Sequence, residues 1–179
     1  MSLSHVLACF AVLTLLAVTP AAAHGPTPQK VEQSIAIAAP PETVWAAVKD
    51  FDGLAGWNPL VESSKGSGGN AADGTRVVVL KSGGQLIDSL DEYLDDEMSY
   101  SYRLATPDIE SFPASFYSST LMVKPGANGG SEVIWDARLY RADTGNFPSE
   151  TQNDQAAIEA VTRYFQEGLK TLKEQVEAQ

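Results

Sequence analysis

Reactive side chains are scarce in this sequence. It has one cysteine, Cys9, and two histidines, His5 and His24. Lysine and arginine together number 12 against 23 aspartates and glutamates, for a net charge of −11. Apolar runs long enough to cross a membrane are also missing. The longest, Val6 to Val18, has one Thr and falls short of the roughly 20 residues that a spanning helix needs. Pro20 and Ala21-Ala22-Ala23 follow it. This pattern reads as a secretory signal peptide cleaved after Ala23, with export to the periplasm. The expected products are a leader at 1–23, a flexible lead-in at 24–30 and a single domain at 31–179.

Each scarcity excludes a class of chemistry. With the leader removed, no cysteine remains, so neither a disulfide nor a thiol is available. The single remaining histidine, His24, is terminal. Cys-His and Ser-His-Asp catalytic arrangements are therefore excluded, and so are ordinary zinc and copper sites. No metal, cofactor or catalytic residue is expected. The acidic balance argues against nucleic acid as a partner, because phosphate binding needs a basic face. It favours encounter with a basic protein, or serves solubility alone. Gly66-Ser67-Gly68-Gly69 lacks the Lys-Ser/Thr of a phosphate loop and reads as a hairpin turn.

The clearest structural signal is at the C-terminus. From Asn153 to Gln179, Ile158, Val161, Phe165, Leu169, Leu172 and Val176 recur at three- and four-residue steps. That spacing predicts one apolar stripe on a helix of about 35 Å, with Glu159, Arg163, Glu167, Lys170, Lys173 and Glu174 mostly on the other faces. Thr151 with Asp154 suggests its capping box. A lone helix of this kind needs a sheet to cover.

The preceding chain supplies one. Val31–Ala38 reads as a strand. Pro40-Pro41-Glu42 then starts a short helix, and a second helical turn runs through Phe51, Leu54 and Trp57 to the break at Asn58-Pro59. Further strands are expected at Leu60–Ser64, Thr75–Lys81, Gln85–Leu94, Met98–Leu104, Phe116–Val123 and Val133–Tyr140, with a loop over 106–113. Short turns between consecutive strands imply an antiparallel meander. In the last strand, alternation puts Trp135 inward and Asp136 with Arg138 outward. Asp88, Asp91, Glu92, Asp95, Asp96 and Glu97 read as a solvated acidic edge.

This order resembles the helix-grip fold of the START and birch-pollen-allergen superfamily. The opening strand, Ala39-Pro40-Pro41-Glu42-Thr43-Val44-Trp45, Phe51 and Trp57-Asn58-Pro59 are similar to its polyketide-cyclase and lipid-transport branch. The resemblance implies an α+β domain, with a curved seven-stranded antiparallel sheet wrapped around the long C-terminal helix. Within that branch, several stretches resemble MxaD-like periplasmic proteins of methanol oxidation. They are His24-Gly25-Pro26, Met98 to Arg103, Tyr117 to Leu121, the Trp135 strand ending in Tyr140-Arg141, and Asn153 to Ala157. That resemblance implies a non-catalytic helper of electron transfer, with methanol dehydrogenase and its cytochrome c as partners.

The superfamily often keeps a cavity between sheet and helix. Candidate lining residues are Trp57, Tyr100, Tyr102, Tyr117, Trp135, Tyr164 and Phe165, with Gly168 leaving room on the helix. The same residues also suit a filled core. A carrier of a small apolar or aromatic ligand is thus the second expectation, and a tightly packed interior without a pocket would count against it. A cyclase- or dehydratase-type enzyme is the third. A buried Asp–Tyr or Asp–Arg pair facing a cavity would favour it.

Overall fold

A computed structural model describes residues 25–179. The expected leader and His24 lie outside the described residues.

The first strand, β1, is Gln29–Ile37. A helix, α1, follows at Pro41–Val48, started by Pro41 within its first turn, and a 3-10 segment covers Phe51–Gly56. Six strands come next: β2 Val61–Ser67, β3 Thr75–Leu80, β4 Gln85–Leu94, β5 Ser99–Thr106, β6 Ala114–Pro125 and β7 Ser131–Arg141. The chain closes with α2, Asp154–Glu177. Among the described residues no helix is long and apolar enough to cross a membrane.

The described residues form one seven-stranded antiparallel sheet in the order β1-β7-β6-β5-β4-β3-β2. Strands β2 to β7 are a plain meander, and β1 joins its far edge by pairing with β7. The segment holding α1 therefore crosses the sheet from one edge to the other. One sheet face is apolar and α2 packs on it against β1 and β7. The expected helix-grip architecture is thus the one observed.

Alternation explains the sidedness. Val133, Trp135, Ala137 and Leu139 are buried, while Asp136 is half-buried and Arg138 exposed. The helix stripe is broader than its aliphatic positions suggest, because Ala157, Tyr164 and Gly168 are buried with Val161, Phe165, Leu169, Leu172 and Val176. The helix start also differs from expectation. Asn153, and not Thr151, is the cap: its side-chain oxygen accepts from the Ala156 amide at 2.9 Å. Arg141 ties the connection before α2 to both of its ends. It donates to the carbonyls of Asp143 and Gly145 and to the Asp154 carboxylate.

Candidate functional site

The sheet–helix interior is aromatic and closely packed. Trp135 is its hub. Its ring stacks on Phe165 at 4.2 Å, with an interplanar angle of 16°, and lies 5.2 Å from Trp57. The Trp135 indole N–H is shared between the Tyr102 hydroxyl at 3.0 Å and Ser119 Oγ at 3.1 Å. Gly168 does not leave open space here. A Cβ at that position would stand 3.0 Å from Asn58 Nδ2 and 3.2 Å from both Trp57 Cζ3 and Trp135 Cζ3. Its missing side chain lets two indoles and an amide close on the helix backbone. Asn58 uses that approach to donate to the Tyr164 carbonyl at 3.2 Å.

Beside this cluster, β3 and β4 place a charge pair inside the domain. Arg76 alternates inward with Val78 and Leu80, and Asp88 alternates inward with Leu86 and Leu90. The tight turn between the strands pairs Arg76 directly with Asp88. Arg76 Nε donates to Asp88 Oδ2 at 2.9 Å, and Nη1 donates to the Phe51 carbonyl at 2.8 Å. The guanidinium carbon lies 4.1 Å from the Phe51 ring centre and 4.6 Å from that of Tyr102. The Tyr117 hydroxyl donates to Asp88 Oδ1 at 2.5 Å. Both carboxylate oxygens therefore have a donor, as a buried charge requires.

The electrostatics follow from burial. Loss of water is the largest single influence and works against the Arg76 charge, but the Asp88 carboxylate together with Tyr102, Tyr100 and Tyr164 outweighs it and the net direction is up. Burial pushes the Asp88 carboxyl up, and Arg76 and the Tyr117 hydroxyl pull against it. Burial, then the neighbouring carboxylate, hold the Tyr117 phenol well above its usual range, so it stays a donor. Reading Asp88 as part of a solvated acidic edge is thus corrected. Glu92, Asp95, Asp96 and Glu97 are exposed and Asp91 is half-buried, but Asp88 is 1% exposed.

Open space lies at one end of the grip. A cleft of about 190 Å³ is walled by Leu60, Leu80, Phe112, Pro113, Ala160 and Tyr164, with Ser82 and Ser111 among its polar edges. Lys81 and Arg163 line it too. Behind it, a gap of about 10 Å³ borders Tyr102, Phe112, Tyr117, Val161, Tyr164 and Phe165. Phe112 and Tyr164 line both spaces, their rings meeting edge-on at 5.8 Å.

All eight sequence candidates are buried. Tyr164 borders the cleft and the gap; Tyr102, Tyr117 and Phe165 border the gap. Trp57, Tyr100, Trp135 and Gly168 border neither and belong to the packed aromatic cluster. Sequence reasoning missed Arg76 and Asp88, although strand alternation and the Ser82-Gly83-Gly84 turn carried the signal. It also missed the cleft, which four separate stretches build. Among the described residues no group of three or more His, Cys, Asp or Glu side chains is arranged to hold a metal.

A family model described as polyketide cyclase / dehydrase and lipid transport matches residues 28–177. No curated protein matches the chain. Among solved structures it is similar to the protein XoxI from Bacillus cereus, at 27% identity and a TM-score of 0.69, over 82% of this chain and 94% of that one. An uncharacterized protein from Bacillus thuringiensis aligns at 27% identity and a TM-score of 0.70, over 83% and 98%. Ara h 8.0201 shares the fold at 17% identity and a TM-score of 0.65, over 86% and 100%.

Proposed function

The chain belongs to the polyketide cyclase / dehydrase and lipid transport family, and on that premise we propose that it binds and carries a small apolar or aromatic ligand. The observation that supports this reading most is the Phe112–Tyr164 edge contact, which stands between an open cleft and an internal gap. The centre of the grip is filled, so the ligand is seated at its end. A cleft of about 190 Å³ is smaller than the roughly 300 Å³ at which sites for drug-sized molecules begin. Its apolar walls suit a medium-length chain or a single ring. Deeper entry requires Phe112 to swing away from Tyr164.

The leader expected at 1–23 from the sequence pattern supports a periplasmic setting for this carrier. Native mass spectrometry of protein recovered from the periplasm tests the reading. A co-purified small molecule is the expected result. Recovery only as the bare chain, with no uptake of added apolar compounds, would overturn it.

A more specific reading, a helper of electron transfer from methanol dehydrogenase to its cytochrome c, rests on the MxaD-like stretches and the net charge of −11. Adding the protein to the purified partners at low salt should speed electron transfer if that reading holds. An enzymatic reading draws support from the Asp88–Tyr117 and Asp88–Arg76 contacts. Of those three residues only Tyr117 borders the internal gap, and both Asp88 oxygens are already engaged. The carrier reading therefore accounts for more of the geometry.

A further inference from the structure

The cleft has apolar walls but a cationic margin, in a chain whose net charge is −11. Lys81 and Arg163 both line it, and no aspartate or glutamate does. Neither side chain has an ion pair or hydrogen-bond partner among the described residues, where the ion pairs are made by Lys30, Arg76, Arg103, Arg141 and Lys173. The Lys81 amide donates to the Leu60 carbonyl at 2.9 Å, which fixes the Lys81 backbone beside an apolar wall. Carboxylates stand near both cations along the chain, Asp88 after Lys81 and Glu159 and Glu167 on either side of Arg163, but none of them lines the cleft. Asp108 accepts from the amides of Gln85 and Ser111, and Glu159 accepts from Gln155 at 2.7 Å.

Two unpaired cations beside an apolar cleft have a chemical complement: an apolar molecule with one anionic group. The acidic surface repels such a molecule at long range, but that field is screened beyond about 10 Å at 0.1 M salt. Within that distance Lys81 and Arg163 are the charged side chains that line the cleft. A neutral ligand would gain nothing from them, and a cationic one would be repelled.

We infer that the cleft selects small apolar carboxylates, seating the apolar part against Leu60, Leu80 and Phe112 and the carboxylate at Lys81 and Arg163. This rests on the ligand-binding reading of the same cleft and adds the ligand's charge to it. Both cations are exposed, so each contributes modestly, and the pair together favours the anion about tenfold at about 0.1 M salt.

The test uses three probes with one apolar chain: octanoate, 1-octanol and octylammonium. Each is titrated into the protein at about 0.1 M salt, where the acidic surface is screened, by calorimetry and by following the methyl signals of Leu60, Leu80 and Ala160. Octanoate should bind about tenfold more tightly than 1-octanol, and octylammonium more weakly than either. The double variant K81Q/R163Q should bring octanoate down to the affinity that the same variant has for 1-octanol. Added salt should narrow the difference in the unmodified protein. Equal affinity for octanoate and 1-octanol, or an octanoate preference that survives K81Q/R163Q, overturns the charge selection and leaves the carrier reading standing. If none of the three probes binds, both fall.

Discussion

Phe112 and Tyr164 meet edge-on, 5.8 Å between ring centres and 70° between planes, at the boundary of the cleft and the interior. One ring comes from the loop before β6, the other from α2. Each ring is also part of the packed core: Phe112 lies 6.4 Å from Tyr117, and Tyr164 lies 5.8 Å from Trp135. Any ligand that moves beyond the cleft must separate them.

Replacing Phe112 with alanine joins the cleft to the gap behind it. The ring is 7% exposed, so the loss of stability should be about 3 kcal/mol, the low end for a buried phenylalanine. Urea unfolding measures that loss. The same variant should accept bulkier apolar probes than the unmodified protein, which binding titrations with probes of graded size would show.

Gly168→Ala sets two effects against each other. Alanine favours the helix by about 1 kcal/mol relative to glycine. Against this, the new Cβ would meet two indole edges and a hydrogen-bonded amide at 3.0 to 3.2 Å, and overpacking costs about 1–3 kcal/mol. All three neighbours are held by their own contacts, so the net effect should be destabilising by about 1 kcal/mol. Thermal unfolding gives the sign, and tryptophan emission should shift as Trp57 and Trp135 are pushed apart.

The Arg76–Asp88 pair should be costly to break and cheap to replace. Asp88→Asn leaves a buried guanidinium without its counter-charge, which should cost about 3 kcal/mol or more. The double variant R76M/D88L should recover much of that loss, because both charges leave together. A double-mutant cycle on denaturation midpoints measures the coupling. Additive single effects would contradict the account.

Alkaline pH should unfold the protein through its tyrosines. Burial pushes Tyr93 up to about 12 from an ordinary 10.0, and it also raises Tyr100, Tyr102, Tyr117 and Tyr164. Between those values the folded chain holds protons that the unfolded chain has released. Stability from this source is complete below pH 10.0 and is lost as pH rises towards and past about 12. Phenolate absorbance should therefore lag in the folded protein and rise with the loss of tertiary structure. Full phenolate absorbance in a still-folded chain would contradict it.

Much of this fold was legible because strand and helix periodicities are local. The limits of β4 follow from turn residues at both ends, and the sidedness of β7 follows from Trp135, Ala137 and Leu139 alternating with Asp136 and Arg138. Asp88 was legible in principle, since it keeps step with Leu86 and Leu90, but a neighbouring run of acidic residues suggested a solvated edge. The glycine at 168 suggested room on the helix for a ligand; Trp57 and Trp135 fill that space instead. The cleft was not legible. Leu60, Leu80, Phe112 and Tyr164 stand on separate stretches of the chain, and only the tertiary fold brings them together.

The most direct test is a methyl-resolved NMR titration of the protein with 1-octanol, a neutral probe whose binding does not depend on the rim charges. The account predicts saturable shifts at Leu60, Leu80 and Ala160, with broadening of the Phe112 and Tyr164 rings. Val161, bordering the inner gap, should respond only in Phe112→Ala. Shifts that do not saturate, or that map to the sheet face away from α2, would contradict it.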